Sequence, residues 1–217
     1  MKIYVKQMYD WNCYAYCAEE VDEQYWDYFN SELWWQLGNS FIKTYDNVAD
    51  FEYCAENFKK YGETAIRQHL KMLPTPWETV LDWLISEMEK LGADWYIHGS
   101  TAMALHGILV QPKDINLIVP NYSDYDKVRN HFYKQAIRPF ERCENWLMSG
   151  LGSVFAEANI EFAFGNRENE PYDMKKLDAV TYHGKTVYVS TLEMLKQDNE
   201  AYGRADRIKM IEQHMTV

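Results

Sequence analysis

The chain has 217 residues, of which 47% are hydrophobic and 25% charged, and its formal net charge is −11. This length suits one large domain or one domain with a small addition, and the hydrophobic share is sufficient for a packed core. The negative charge argues against a protein that coats nucleic acid non-specifically, because such proteins present an excess of Lys and Arg to the phosphates. A nucleotide held through metal ions remains compatible with it.

The N-terminal residues, the apolar stretches and the cysteines are not typical of an extracellular or membrane protein. Residues 1–6 lack the long apolar run of a signal peptide, and no stretch is long enough to cross a bilayer. The cysteines are Cys13, Cys17, Cys54 and Cys143, and none forms the paired spacing of a zinc site. These features predict free, buried thiols in a cytoplasmic protein.

Residues 1–73 differ in character from the rest and predict a small α+β extension. Residues 21–37 carry large apolar side chains at spacings of three and four, which is typical of a helix with an aromatic stripe on one face. These aromatic residues form the core of the extension or, alternatively, cover a pocket or a surface for a protein partner. The predicted elements are strands at 2–9, 12–17 and 41–45 and helices at 21–37 and 50–73.

Pro74-Thr75-Pro76 predicts a boundary, after which residues 74–217 form the main domain. Thr75 and Glu78 suit a capping box for an amphipathic helix over 77–91, which Gly92 ends. Two further capping boxes, Ser123 with Asp126 and Ser190 with Glu193, predict later helix starts. The other predicted elements are a strand at 137–140, one or two strands around a turn at 150–152 within 145–164, and a strand at 185–189.

Residues 93–119 have the clearest chemical pattern. The turn Gly99-Ser100 follows a strand-like run and opens a short helix over 101–106 that Gly107 closes. Lys113-Asp114-Ile115-Asn116 then leads into the apolar residues 117–119. Alternate residues of a strand share a face, so Asp114 and Asn116 point the same way. The turn offers backbone N–H groups and a hydroxyl to a phosphate, and a carboxylate on the next strand can hold the accompanying Mg²⁺.

This pattern resembles the nucleotidyltransferase superfamily, the DNA polymerase β-like fold, whose mark is a Gly-Gly or Gly-Ser turn followed by Asp-x-Asp. It is similar especially to the small bacterial branch that includes antibiotic nucleotidyltransferases and abortive-infection toxins. Gly99 and Ser100 match the turn and Asp114 matches the first Asp, whereas Asn116 stands where the family has the second Asp. The resemblance covers roughly residues 77–217. It implies an α+β fold, with a mixed sheet flanked by helices.

The resemblance also implies a set of site residues. Glu161 fits the third carboxylate of the family, with Glu157 as a second candidate; a solvent-facing glutamate on an edge strand fits the pattern equally well. Near the end of the chain, Gly203-Arg204-Ala205-Asp206-Arg207 resembles the family's cationic segment, although a solvated terminal helix also explains it. The implied metal-binding and catalytic residues are Asp114, Asn116 and Glu161, and the implied nucleotide-binding residues are Gly99, Ser100, Lys113, Arg204 and Arg207.

The implied activity is Mg²⁺-dependent transfer of a nucleoside monophosphate from an NTP, expected to be ATP, to a small-molecule, protein or RNA acceptor. Asn116 offers a neutral oxygen where the family has a carboxylate, which weakens a magnesium site. A degenerate protein that binds a nucleotide or a protein partner without catalysis therefore stays open as an alternative, as does a purely structural interaction protein. The residues do not identify the acceptor.

Overall fold

The computed structural model describes residues 1–8, 12–46, 51–142, 149–165 and 174–216. In these ranges two β-sheets are flanked by helices, which confirms the α+β class. The strands are β1 (Lys2–Met8), β2 (Cys13–Glu19), β3 (Trp35–Leu37), β4 (Ser40–Asp46), β5 (Tyr96–His98), β6 (Ile115–Val119), β7 (Ala136–Arg142), β8 (Gly150–Phe155), β9 (Asn159–Phe164), β10 (Asp178–Tyr182) and β11 (Lys185–Val189). The α-helices are α1 (Trp26–Ser31), α2 (Phe51–His69), α3 (Trp77–Leu91), α4 (Gly99–Leu105), α5 (Tyr122–Phe132), α6 (Leu192–Ala201) and α7 (Ala205–Met215).

The first sheet is antiparallel, with strand order β1-β2-β4-β3. Its inner face and helices α1 and α2 enclose a core made mainly of aromatic rings, as the composition of residues 1–73 predicts. The side chains of Cys13, Cys17 and Cys54 are buried, as expected, and Cys143 lies outside the described residues. The core of this region includes Tyr16, Phe29, Trp34, Phe41, Tyr45, Phe51 and Phe58.

The helix predicted over residues 21–37 is wrong in its second half. Helix α1 ends at Ser31, Leu33 has a φ of 57°, and β3 forms a hairpin with β4. Gly38 allows the two-residue turn, because its φ of 62° is unfavourable for other residues. Trp34 is buried between the aromatic rings of α1 and α2, whereas Trp35 is 79% exposed on the edge strand. Strand pairing therefore overrides a spacing that also suits a helix.

Three predicted caps are corrected by the structure. Asn121, not Ser123, caps α5, and its side chain accepts a hydrogen bond from the backbone N–H of Asp124. Thr191, not Ser190, caps α6 by accepting from the N–H of Met194. Helix α3 starts without a side-chain cap, although it spans 77–91 and ends at Gly92 as predicted. The hydroxyls of Ser190 and Thr75 are used in tertiary contacts, to His98 and to the carbonyl of Lys113 respectively.

The second sheet is mixed, with strand order β10-β11-β5-β6-β9-β8-β7. Strands β5 and β6 are antiparallel neighbours, as the pattern of residues 93–119 predicts, and β6 and β9 are parallel. The turn predicted at residues 150–152 is wrong, because these residues begin β8. A Cβ atom on Gly152 would lie 2.5 Å from Cδ1 of Phe140, so this glycine serves close packing between β8 and β7.

The first region packs against the β7–β8 end of the second sheet. The Tyr16 hydroxyl donates to the carbonyl of Ile137 at 2.7 Å, and Nδ2 of Asn57 donates to the carbonyls of Lys134 and Ala136. Ile137 is itself part of the aromatic core. The division of the chain after residue 73 stays a prediction. None of the helices in the described ranges is long and apolar enough to cross a membrane.

We expect Tyr16→Phe to lower the free energy of unfolding by about 1 kcal/mol, because it removes a buried hydrogen bond between the two regions. The control is Tyr14→Phe on the same strand, whose hydroxyl has no hydrogen bond to another described residue. Urea unfolding of both variants and the parent measures the difference. Equal destabilisation by the two substitutions would show that the Tyr16 hydroxyl does not join the regions.

Candidate active site

A row of polar side chains crosses the second sheet from β5 to β7. The strand registers place His98 opposite Asn116, Asn116 opposite Glu161, Glu161 opposite Ser153, and Ser153 opposite Arg138. Residues directly opposite each other on paired strands project from the same face, so these five side chains share one face of the sheet. Ile160 and Phe162 face the core on the other side, and both are fully buried.

Helix α4 begins against this row. Gly99 has a φ of 66°, and a Cβ atom there would lie 3.2 Å from Nδ2 of Asn116, so both the backbone and the close approach favour glycine. The hydroxyl of Thr101 donates to the carbonyl of Asp114 at 3.0 Å. Ser100 is buried beside it. The start of α4 and the residue before β6 are therefore joined directly by this hydrogen bond.

Asp114 is the most enclosed acid of the site, with 7% exposure. Its Oδ1 accepts a hydrogen bond from Nδ2 of Asn116 at 3.0 Å. Burial raises the pKa of Asp114, and the positive charge of Lys113 partly opposes this rise. Burial also raises the pKa of Glu161 to about 8, with a further increase from the negative charge of Asp114. The two carboxyl groups are thus close enough to repel each other when both are charged.

Lys113 also contacts the first region. Its Nζ lies 2.5 Å from Nε2 of His69 on α2. Burial lowers the pKa of His69 to about 4, and the charge of Lys113 lowers it further, so the ring is neutral at neutral pH and accepts the hydrogen bond. Burial also lowers the pKa of Lys113. In this arrangement Lys113 connects the start of β6 to the first region.

The cationic segment at the end of the chain meets the site on its other side. Arg207 is half-buried and close enough to Asp114 for its charge to lower the pKa of that carboxyl. Arg204 is exposed, and its guanidinium lies 4.7 Å from the centre of the Tyr202 ring. Asp198 lies 3.5 Å from Nε2 of His98, and the hydrogen bond between them lowers the pKa of Asp198. Arg207 thus lies near Asp114, whereas the side chain of Arg204 is exposed.

A cavity of about 50 Å³ lies where the first region covers the part of the polar row from Glu161 to Arg138. A space of this size holds a few water molecules but not a nucleotide. Its polar lining comes from both regions of the chain. The lining includes the polar side chains of Glu32, Lys43, Tyr45, Arg138 and Glu161.

The oxygen donors of the site match the ligand preference of Mg²⁺, which favours carboxylate and carbonyl oxygens. Asp114, which is buried, and Glu161, which is half-buried, are neighbouring carboxyl groups whose mutual repulsion a divalent cation would relieve. Within the described parts of the chain, no group of three or more His, Cys, Asp and Glu side chains is arranged to hold a metal ion. The residues therefore fit one ion held by two acids and an amide oxygen, rather than a preformed carboxylate cluster.

The structure is similar to solved nucleotidyltransferases. A Thermotoga maritima protein provisionally named a nucleotidyltransferase matches at 18% identity and a TM-score of 0.48, over 66% of this chain and 96% of that one. The lincosamide antibiotic adenylyltransferase LnuA, solved with lincomycin, matches at 11% identity and 0.48, over 64% and 97%. The antibiotic-resistance factor ANT(2'')-Ia matches at 12% identity and 0.49, over 66% and 85%.

No protein-family model matches the sequence, and no curated protein matches it in sequence. Because the identities and TM-scores are low, the likeness assigns no substrate, cofactor or activity to this chain.

The structure also separates the candidates for the third carboxylate. Glu161 lies on β9 between β6 and β8, so the alternative of an edge strand is wrong. Glu157 is exposed in the turn after β8, with a φ of 65°, and does not share the face of Glu161. Sequence reasoning missed further polar residues around the site, because they are distant along the chain and belong to no spacing pattern. They are Glu32, Lys43, His69, Arg138 and Asp198.

We expect Glu161→Gln to be more stable than the parent at pH 8, because the buried carboxyl no longer has to ionise. The folded-state pKa is raised from 4.5 to about 8, so the contribution of Glu161 to stability is complete below pH 4.5 and is lost as the pH rises to about 8. The excess stability of the variant should therefore grow across this interval. Urea unfolding with EDTA at several pH values measures it, and Glu157→Gln is the exposed control. A constant difference between Glu161→Gln and the parent would contradict the assigned burial of this charge.

Proposed function

We propose that this protein transfers a nucleoside monophosphate from an NTP to an acceptor with the help of Mg²⁺. The observation that carries the proposal is the register of β5, β6 and β9, which brings Asn116 beside Glu161 and beside the Gly99 turn. Asp114 is joined to Asn116 by a hydrogen bond in the same place. Oxygen ligands and a Gly-Ser turn are thus combined at one end of the sheet.

Nucleotidyl transfer requires a bound triphosphate whose α-phosphorus is accessible to an acceptor oxygen. A bond forms between that oxygen and the α-phosphorus, and the bond from the α-phosphorus to the leaving pyrophosphate breaks. Mg²⁺, when bound, neutralises charge on the phosphate oxygens. The protein's share is to position the phosphates and to hold compensating charges around them.

Each residue has a role in that arrangement. The backbone N–H groups of Gly99 and Ser100, at the start of α4, are free of intrahelical partners and suit a phosphate. Asp114, Glu161 and the carbonyl oxygen of Asn116 would hold the metal ion. Arg207, which already acts electrostatically on Asp114, stabilises negative charge on the leaving pyrophosphate.

Two further cationic side chains, those of Lys113 and Arg204, would have to move in order to reach the phosphates. Lys113 reaches a phosphate only if it leaves His69, and Arg204 only if it turns in from its exposed position. Binding of the triphosphate would supply the differential interaction that such movements need. ATP is the expected nucleotide, and a cytoplasmic setting with free thiols is the expected environment.

We expect the Asn116→Asp variant to bind an NTP in the presence of Mg²⁺ about ten- to a hundredfold more tightly than the parent does. The substitution adds an anionic ligand without changing the reach of the side chain, and a charge-assisted contact contributes about 1.5–3 kcal/mol. Asp114→Ala should abolish binding in either background. Calorimetry with each NTP in turn, with Mg²⁺ and with EDTA, measures the affinities.

Asn30→Asp is the matched control, because it adds the same charge at an exposed position. Equal Mg²⁺-dependent binding by the parent, Asn116→Asp and Asp114→Ala would mean that these residues form no metal site. Tight binding by the parent without any transfer to candidate acceptors would instead favour the alternative function of a nucleotide-binding protein that has lost catalysis.

A further inference from the structure

The first sheet has two faces, and an apolar row crosses the face that is turned away from the aromatic core. On this face, which we call the outer face, the strand registers place Tyr4 opposite Cys17 and Cys17 opposite Ile42. Ile42 in turn lies opposite Trp35 on the edge strand β3. Leu37 follows two residues after Trp35 and therefore projects from the same face. The row extends over all four strands of the sheet.

Within the described ranges, the outer face is not part of the protein's packed interior. The alternate residues of β2 and β4 project from the inner face, where Tyr16, Phe41 and Tyr45 join the aromatic core. No residue of the outer apolar row belongs to either hydrophobic core of the described chain. Trp35 is 79% exposed and Leu37 is 64% exposed. An antiparallel sheet with one packed face normally presents polar side chains on the other, so this apolar face is typical of a docking surface.

The charges on the outer face balance, although the chain as a whole is acidic. Lys2 lies opposite Glu19 at one end of the face, and Lys6 and Asp46 project from it toward the other end. Two lysines and two acids give the face a formal charge of zero, whereas the whole chain has a net charge of −11. A neutral face does not suit nucleic acid or anionic lipid, because both require an excess of Lys and Arg. It does allow two copies of this acidic chain to meet without local repulsion.

The exposed apolar groups favour packing on the face over addition of a strand at the edge. Strand β3 has only three residues, so its edge offers few backbone groups to a further strand. Two sheets that stack face to face lie about 10 Å apart, and their apolar side chains interdigitate. Covering the outer face in two copies would bury roughly 1,000 Å² in total, which is at the lower limit for a specific interface.

We propose that the outer face of the first sheet is a self-association surface, on which a second copy of this chain packs with its own outer face. Such a contact is isologous, so the two copies are related by a two-fold axis and Trp35 and Leu37 are covered in both. The cavity is lined from the inner face by Tyr16, Lys43 and Tyr45, so the dimer leaves it uncovered. Self-association is therefore independent of the proposed function. The limited area predicts a reversible dimer with a micromolar dissociation constant.

Sedimentation velocity of the full chain over a range of micromolar concentrations tests this proposal. The parent should show a reversible monomer–dimer equilibrium. Trp35→Lys and Leu37→Lys should each raise the dissociation constant about a hundredfold or more, because each removes an apolar contact from both copies and adds a charge that must be desolvated. The matched control is Leu109→Lys, which makes the same change at a leucine that is 95% exposed between α4 and β6. Its dissociation constant should equal that of the parent.

Far-UV circular dichroism verifies that each variant is folded, and Leu37→Lys decides the question if Trp35→Lys is not. A parent that stays monomeric at the highest concentration would overturn the proposal, because the outer face would then have to serve a different protein. A dimer whose dissociation constant is the same in the parent, Trp35→Lys and Leu37→Lys would also overturn it, since the copies would then meet elsewhere. So would a dimer that Leu109→Lys weakens as much as Leu37→Lys does.

Discussion

The parallel pairing of β6 with β9 is the interaction on which the candidate site depends. It sets Asn116 directly beside Glu161, and the antiparallel pairing of β5 adds His98 on the other side. Side chains alternate between the faces of a strand, so a shift of one residue would move Glu161 into the core and expose Phe162. The buried residues of β6 and β9 make such a shift unfavourable. The same apolar residues that stabilise the sheet therefore fix the position of the polar ones.

Burial by the first region is the second constraint. Helix α2 and the first sheet cover the β7–β8 end, and this cover lowers the pKa of Lys43 and His69 and raises that of Glu161. The covering region also contributes groups of its own, since His69 contacts Lys113 and Lys43 approaches Arg138 across the cavity. Charged groups buried in this way lose their hydration, so their contacts add little to the net stability of the fold.

Local sequence patterns were sufficient to predict an element where a single interaction determined its structure. The apolar spacing and glycine of α3, the Gly-Ser turn at α4 and the neighbouring strands β5 and β6 all agree with expectation. Local patterns were insufficient where one stretch of sequence is compatible with two different structures. Residues 35–37 suit a helix by spacing but form a strand, because Gly38 turns the chain back onto β4. Gly150 and Gly152 are typical of a turn but lie in a strand. Glycine is needed there because aromatic rings occupy the space that a Cβ atom would take.

The sequence by itself determined the mixed α+β composition, the Gly99-Ser100 turn and the position of Asn116 on the next strand, with Asp114 one residue before that strand begins. These follow from glycine's backbone freedom and from the alternation of a strand, both of which are local. The tertiary structure alone decided that β9 lies between β6 and β8, and hence that Glu161 faces the site. It alone brought Lys43, His69 and Arg138 to the same cavity. Such contacts join residues that are far apart in the chain. They depend on which surfaces pack together and not on the spacing of residues along the sequence.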